Sequence, residues 1–358
     1  MNAQLPITTP PKYNFPLPSM HAENLQLPKQ FVELSLRSLK KLENTQQMSK
    51  RNSENSSLIN ENSKIDFPRL IRLKPNQTST PVMAIDVSSI KIGETETGLL
   101  LAIRGAIIWK HANRYQYLRI GPFPFHIYEE NKNLISSILR NHSQLAQFQD
   151  FTIPNSFYIQ SRLTAIFERW IQTSINQITN NSLILFDGSL ASGSFEHSLE
   201  SITQMLRTAR SNQNIILAFS KMTRLVFRGQ RLTDLILKHP PPCLLKMANY
   251  FTNTRLTHFF GSVYVAKLSG ANYAFRLDID NAIPEIKAIE AVKKLLGNDL
   301  ILQSYPETLR LAHIYSTFTA AEVLGIQRWI SQEADLRIIT KPNLRRLLFG
   351  RFGKGPEG

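Results

Sequence analysis

Residues 182–187 read Ser-Leu-Ile-Leu-Phe-Asp and pass straight into Gly188 and Ser189. A continuous apolar run closed by a carboxylate and a turn is the pattern of a strand in the middle of a sheet, covered on both faces. Just before it, residues 156–178 place Ile159, Leu163, Ile166, Phe167, Trp170 and Ile171 at helical spacing, so the strand is entered from a helix. Further upstream, Val-Met-Ala-Ile-Asp at 82–86, the apolar run at 99–109 and Tyr-Gln-Tyr-Leu-Arg-Ile at 115–120 predict three consecutive strands. Gly93 and His-Ala-Asn-Arg at 111–114 break them, which fits an antiparallel meander. A helix is also predicted over 132–149. Downstream, the pattern gives a helix at about 196–210, a strand at 215–219, strands near 262–268 and 272–278, and helices near 282–297 and 307–330. The expected class is α/β, a mixed sheet flanked by helices.

The N-terminal part reads differently. A proline-rich stretch to about residue 30 precedes a helical pattern at 31–41 with Val32, Leu34, Leu36 and Leu39. Residues 45–64 are rich in Ser, Asn and charge, too poor in large apolar groups to repay ordering entropy, and are expected to form a flexible linker. The chain is therefore divided into an N-terminal extension, 1–64, and a folded domain, 65–358. No self-similarity at a period of roughly 20–50 residues is present, which excludes solenoids and propellers.

Composition narrows the partners. With 42 Lys and Arg against 27 Asp and Glu, the formal net charge is +15, which favours a polyanion, since phosphate neutralisation scales with basic contacts. The single cysteine, Cys243, excludes an internal disulfide and a cysteine-based zinc cluster. The apolar run at 98–103 is cut short by Arg104, so no membrane span is expected, and the N-terminal stretch has no secretory pattern. A cytoplasmic protein is the expectation.

The chemistry rests on carboxylates. Asp86 and Asp187 each close an apolar strand-like run, an expensive place for a charge unless it caps a turn or binds a cation. Strands that lie side by side would aim both at one crevice, where hard cations such as Mg²⁺ or Mn²⁺ are held by oxygen ligands and promote phosphodiester hydrolysis. Glu168, on the amphipathic helix before the central strand, is a third carboxylate; its other reading is a solvated group opposite Ile166, Phe167 and Trp170. Asp278 and Asp280 are rivals that alternatively cap the helix beginning near Pro284. Tyr305 and His313 lie around the start of a late helix, in Tyr-Pro-Glu-Thr-Leu-Arg-Leu-Ala-His at 305–313. The histidine suits a metal ligand or a water-orienting group, and also a satisfied core residue. Lys221 and Arg224 follow the strand at 215–219 and can present cations to a nucleic-acid backbone or simply be solvated. The basic run at 341–354 mixes arginines with Leu347, Leu348, Phe349 and Phe352, which suits either DNA contact or docking onto a partner, the apolar groups beside the arginines favouring docking.

Three strands, helices, a central strand and then alternating elements form the order of an RNase H-like fold. Within it, Ala-Ile-Asp-Val-Ser-Ser at 84–89, Glu-Arg at 168–169, Leu-Phe-Asp-Gly-Ser-Leu at 185–190, Ala-Phe-Ser-Lys-Met-Thr-Arg at 218–224 and the 305–313 segment resemble the successive motifs of the NurA nucleases. The resemblance spans about residues 80 to 350. It implies a Mn²⁺-dependent DNA nuclease, with Mg²⁺ as the other candidate cation, that is a homodimer and works with a hexameric HerA-type ATPase in resecting DNA ends. It implies internal cleavage of single-stranded DNA and 5′→3′ degradation of single- and double-stranded DNA. Carried over by motif, Asp86, Glu168, Asp187 and His313 would hold metal, and Tyr305 would complete the site. The chain departs from the family at Val87, where glycine often follows the first aspartate. Two other readings stay open: a scaffold of the same fold that binds DNA or the ATPase without cutting, and an RNA-cleaving member of the fold.

Overall fold

Alternating and continuous apolar runs in residues 82–128 build the half of the sheet that carries the candidate carboxylates. In the computed structural model the described residues are 29–39, 68–111, 114–129, 131, 135, 156–193, 199–223, 225–247, 251, 257–334 and 336–339. The helix predicted over 132–149, apart from Ile135, the linker at 45–64, Arg224 and the basic run at 341–354 lie outside them.

Helix α1 (Lys29–Leu39) precedes strands β1 (Arg69–Arg72), β2 (Val82–Glu94), β3 (Gly98–His111) and β4 (Arg114–Tyr128). Helix α2 (Ser156–Ile178) leads into β5 (Leu183–Asp187) and the short β6 (Ala191–Gly193), and α3 (Leu199–Ser211) leads into β7 (Ile215–Ser220). There follow β8 (Val226–Phe227), β9 (Gln230–Arg231), β10 (Cys243–Lys246), β11 (Thr257–Phe259), β12 (Gly261–Lys267) and β13 (Phe275–Asp280). Helix α4 (Glu285–Asn298), the hairpin β14 (Ile301–Leu302) and β15 (Tyr305–Pro306), α5 (Glu307–Ser316) and α6 (Ala320–Glu333) complete the order.

Nine strands form one mixed sheet in the order β1-β10-β12-β13-β7-β5-β2-β3-β4. Strands β2, β3 and β4 are the predicted antiparallel meander. Strand β5 is parallel to both of its neighbours, β2 and β7, and is reached and left through α2 and α3. Such parallel pairs need a crossover, and the apolar run 183–186 is buried because helices cover both of its faces. Alternation sorts the side chains. Met83, Ile85, Ile184 and Phe186 pack with α2 and α3, while Val82, Ala84, Leu183 and Leu185 pack with α4 and α5. Phe167 anchors the first layer: it is stacked on Phe31 of α1 at 4.9 Å between centroids and meets Phe123 edge-on at 5.3 Å.

The RNase H-like mixed sheet flanked by helices is as expected, with four differences. Strand β2 does not stop at Asp86 but runs on to Glu94, because β3 continues to pair with it after β5 has ended. The sheet is extended by β1 and β10, runs of four residues too short to stand out in the sequence. The single late helix is two: Thr319 caps α6 in a reciprocal box with Glu322, which stops α5 at Ser316. Tyr305 itself lies just ahead of α5, in β15 of a short hairpin not expected from the sequence, after a two-residue turn with positive φ at Gln303 and Ser304. The turn lacks glycine; the buried Ser304 exchanges backbone and hydroxyl hydrogen bonds with Ser269 instead. Among the described residues no helix is long and apolar enough to cross a membrane.

Truncating Phe167 to alanine is expected to cost about 3–5 kcal/mol of stability, measured by urea denaturation, because it leaves a cavity shared by α1, α2 and the meander. A loss below about 1 kcal/mol would show that α1 and α2 do not share this core.

Candidate metal centre

Register brings the first two carboxylates together. Strand β2 pairs in parallel with β5 from Val82–Leu183 to Ile85–Phe186, so the next residue on each strand, Asp86 and Asp187, falls side by side. By alternation both point to the face covered by α4 and α5. Asp187 ends its strand at Gly188, whose φ of +137° suits glycine and whose N–H donates to Phe219 O at 2.8 Å.

Helix α5 crosses that face and supplies the third group. Asp86, Asp187 and His313 each offer one ligand atom, and these atoms all lie within 4.8 Å of one another. His313 Nδ1 is 3.4 Å from Asp86 Oδ2, and its side chain is 49% exposed, so it lines the mouth of the site and is not a core histidine. Asp86, by contrast, is 8% exposed. Its Oδ2 accepts a hydrogen bond from the Ser316 hydroxyl, which in turn lies 2.8 Å from the Ser88 hydroxyl. Sequence reasoning missed both serines, although Ser316 follows His313 by three residues and so shares its helix face.

The other candidates gather around this group. Glu168 is half-buried on α2, accepts a hydrogen bond from Gln172 at 2.9 Å, and is not a solvated group on an outer face. Burial pushes its carboxyl up to about 7; Arg169 pulls it down, and Asp86 and Asp187 push it further up. Asp187 is also raised, chiefly by burial, against the pull of Lys221. Lys221 lies in the exposed bend after β7 but is not free: its Nζ lies 2.5 Å from Asp187 Oδ2 and 5.5 Å from the centre of the Tyr305 ring. The Tyr305 ring is wedged against Phe219 and Phe275, and its buried hydroxyl has no partner among the described residues. Burial, then Asp187 and Asp86, raise that hydroxyl's pKa, so it remains a proton donor.

The rival aspartates are engaged elsewhere. Asp278, fully buried, takes two hydrogen bonds from Arg276, at 2.7 and 2.6 Å, and one from Leu190 N at 3.0 Å. Asp280 pairs with Arg210 and accepts from Ala282 N at 3.0 Å, closing a turn; α4 itself starts at Pro284 without a side-chain cap, so neither aspartate caps it.

Two carboxylates and an imidazole within one ion's reach form a donor set that suits a divalent cation. The described structure thus joins Asp86, Asp187 and His313 directly, with Glu168, Lys221 and Tyr305 around them. Arg224 lies outside the described residues.

No family model matches the chain, and no curated protein matches it. Among solved structures it is similar to the NurA nuclease from Sulfolobus solfataricus, at 13% identity over 74% of this chain and 87% of that one, with a TM-score of 0.47. It is also similar to endonuclease V from Bacillus subtilis, at 12% identity over 72% of this chain and 88% of that one, with a TM-score of 0.36. A third is Ciona intestinalis endonuclease V in complex with inosine-containing DNA, at 12% identity over 72% and 92% of the two chains, with a TM-score of 0.36.

Glu168 makes the metal-free fold sensitive to pH. Its folded value, about 7, lies above the ordinary 4.5, so ionisation destabilises the fold; the penalty is absent below 4.5, grows as pH rises and is complete above about 7. In EDTA, Glu168→Gln is expected to raise the thermal midpoint at about pH 8 and leave it unchanged near pH 4. Equal midpoints at both pH values would remove the buried charge from the account.

Proposed function

We propose that this chain is a metal-dependent deoxyribonuclease. The observation that carries the reading is the convergence of Asp86, Asp187 and His313 within 4.8 Å on a basic chain of net charge +15. Carboxylates are otherwise out of place beside a polyanion, which they repel, unless a cation joins them.

In this reading Asp86, Asp187, Glu168 and His313 hold the cation, and Mn²⁺, with Mg²⁺ as the alternative, is the one the NurA resemblance favours. Bound there, it supplies Lewis acidity, easing the conversion of water to a nucleophile and neutralising charge on the departing oxygen. The residues themselves do the positioning. Ser316 fixes Asp86 through Oδ2, the oxygen that also faces His313 Nδ1. The Tyr305 hydroxyl, without a partner among the described residues and protonated at neutral pH, donates to a carboxylate or a phosphate oxygen. Lys221 neutralises Asp187 in the absence of a cation; its long side chain then turns to the DNA phosphate. DNA as substrate, single-strand endonuclease and 5′→3′ exonuclease action, a homodimer, a HerA-type hexameric ATPase as partner, and a cytoplasmic role in end resection are the finer parts of the proposal. They rest on the resemblance of the motifs.

The Lys221–Asp187 ion pair favours one second reading. A permanent counterion of this kind is what a non-cutting scaffold would need to keep its acidic cleft compatible with DNA.

End-labelled single- and double-stranded DNA incubated with Mn²⁺, Mg²⁺ or EDTA separates the two. Cleavage is expected only with metal, and Asp86→Ala or Asp187→Ala is expected to lower its rate by about 10²–10⁴-fold or more with DNA binding retained. Tyr305→Phe should cost less, about tenfold. Wild type that binds DNA but leaves it whole under every metal would favour the scaffold.

A further inference from the structure

The face of the sheet that carries Asp86 also carries two arginines. Across the meander Asp86 faces Ala106, and Ala106 faces Arg119; in the next row Ser88 faces Arg104. Small Ala106 leaves room for α5 to lie on this face. Beside Arg104 the pairing of β3 and β4 is irregular: Ile103 faces Phe123 and Gly105 faces Ile120, so Gly121 and Pro122 oppose one residue. Such bulges re-aim side chains, and this one needs glycine: Gly121 has φ +97°, and a Cβ there would lie 2.9 Å from Ile103 O.

Arg104 is 4% exposed, an expensive place for a cation unless it is paired; its Nε has no partner among the described residues, and Nη1 carries the polar contacts. Its Nη1 donates to Thr317 O at 3.2 Å and meets Glu322 Oε1 at 3.0 Å, and the guanidinium sits 4.4 Å from the Phe318 ring centre. Arg119 Nε donates to Tyr315 O at 3.1 Å, and its Nη2 reaches the same Glu322 oxygen at 2.6 Å. The other Glu322 oxygen accepts from Thr319 N at 2.9 Å. Burial alone would raise the Glu322 carboxyl, but hydrogen bonds from Arg104, Thr319 N and Arg119 hold it down at about 2. Every one of these contacts falls on residues 315–322, where α5 ends and α6 begins. The carbonyls at a helix C-terminus lack intrahelical donors, and two cations placed there satisfy them and complement the helix dipole.

Between the two arginine-bound carbonyls, of Tyr315 and Thr317, stands Ser316, which holds Asp86. One turn earlier stands His313, whose carbonyl accepts from Thr317 N at 3.2 Å. We propose that Arg104 and Arg119, joined by Glu322, are positioning residues for the metal centre: they fix the last turn of α5 and thereby hold Ser316 and His313 against Asp86. They touch neither cation nor substrate. The proposal rests on the metal-centre reading above.

The test uses the full chain and reads Mn²⁺ affinity without DNA by titration calorimetry, circular dichroism, and kcat and KM for single-stranded DNA cleavage. Arg104→Gln, Glu322→Gln and Ser316→Ala are each expected to weaken Mn²⁺ binding about tenfold and lower kcat similarly, with KM within about threefold of wild type. Arg104→Gln combined with Ser316→Ala should be no worse than the weaker single variant, since both act through one turn. Arg104→Lys, which keeps the charge but not the fork, should recover part of the loss. Natively folded variants with wild-type Mn²⁺ affinity, or losses that simply multiply in the double variant, overturn the proposal. If Arg104→Gln does not fold, Glu322→Gln and Ser316→Ala decide by the same readings. Wild type that neither binds Mn²⁺ nor cuts DNA removes the metal-centre reading, and this proposal with it.

Discussion

Parallel pairing of β2 with β5 is the constraint on which the site depends. It holds over four residue pairs and ends at Ile85–Phe186, so the two strands release Asp86 and Asp187 together, on one face. A slip of one residue would turn either carboxylate to the opposite face, among the apolar side chains of α2 and α3. The apolar runs that precede both aspartates prevent such a slip, because each must keep Val82, Ala84, Leu183 and Leu185 against α4 and α5. Packing of the core and placement of the charges are thus one requirement.

Gathering three carboxylates near the end of a buried sheet has an electrostatic cost that the rest of the site offsets. Burial and mutual repulsion raise Glu168, and burial raises Asp187. Lys221 opposes this at Asp187, and the Ser316 hydroxyl donates a hydrogen bond to Asp86. A cation would relieve the same repulsion more completely, since it interacts with all the oxygens at once. The arginines at the end of α5 belong to a separate layer. They act on backbone carbonyls and on Glu322, which satisfies the Tyr315 and Thr317 carbonyls where the helix carrying His313 stops abruptly beside the sheet.

The sequence by itself determined the central elements. The meander, the helix at 156–178, the strand at 183–187 and the carboxylates Asp86 and Asp187 are legible because each depends on local periodicity or on a charge closing an apolar run. The break between α5 and α6 was legible too, in Thr319 and Glu322 at capping-box spacing, but the apolar residues on either side mask it. Tertiary structure decided the rest. Glu168 lies in a helix whose pattern fits a solvated glutamate, and only the approach of α2 to the sheet end gives it two acidic neighbours. Lys221 has the sequence context of an ordinary turn, and only the adjacency of β7 and β5 puts its ammonium on Asp187. Ser88, Ser316, Arg104 and Arg119 come from four separate elements and meet on one sheet face. Local sequence fixes the period of each element, but which residues of distant elements face one another is set by strand order and register, and those follow from packing the whole core.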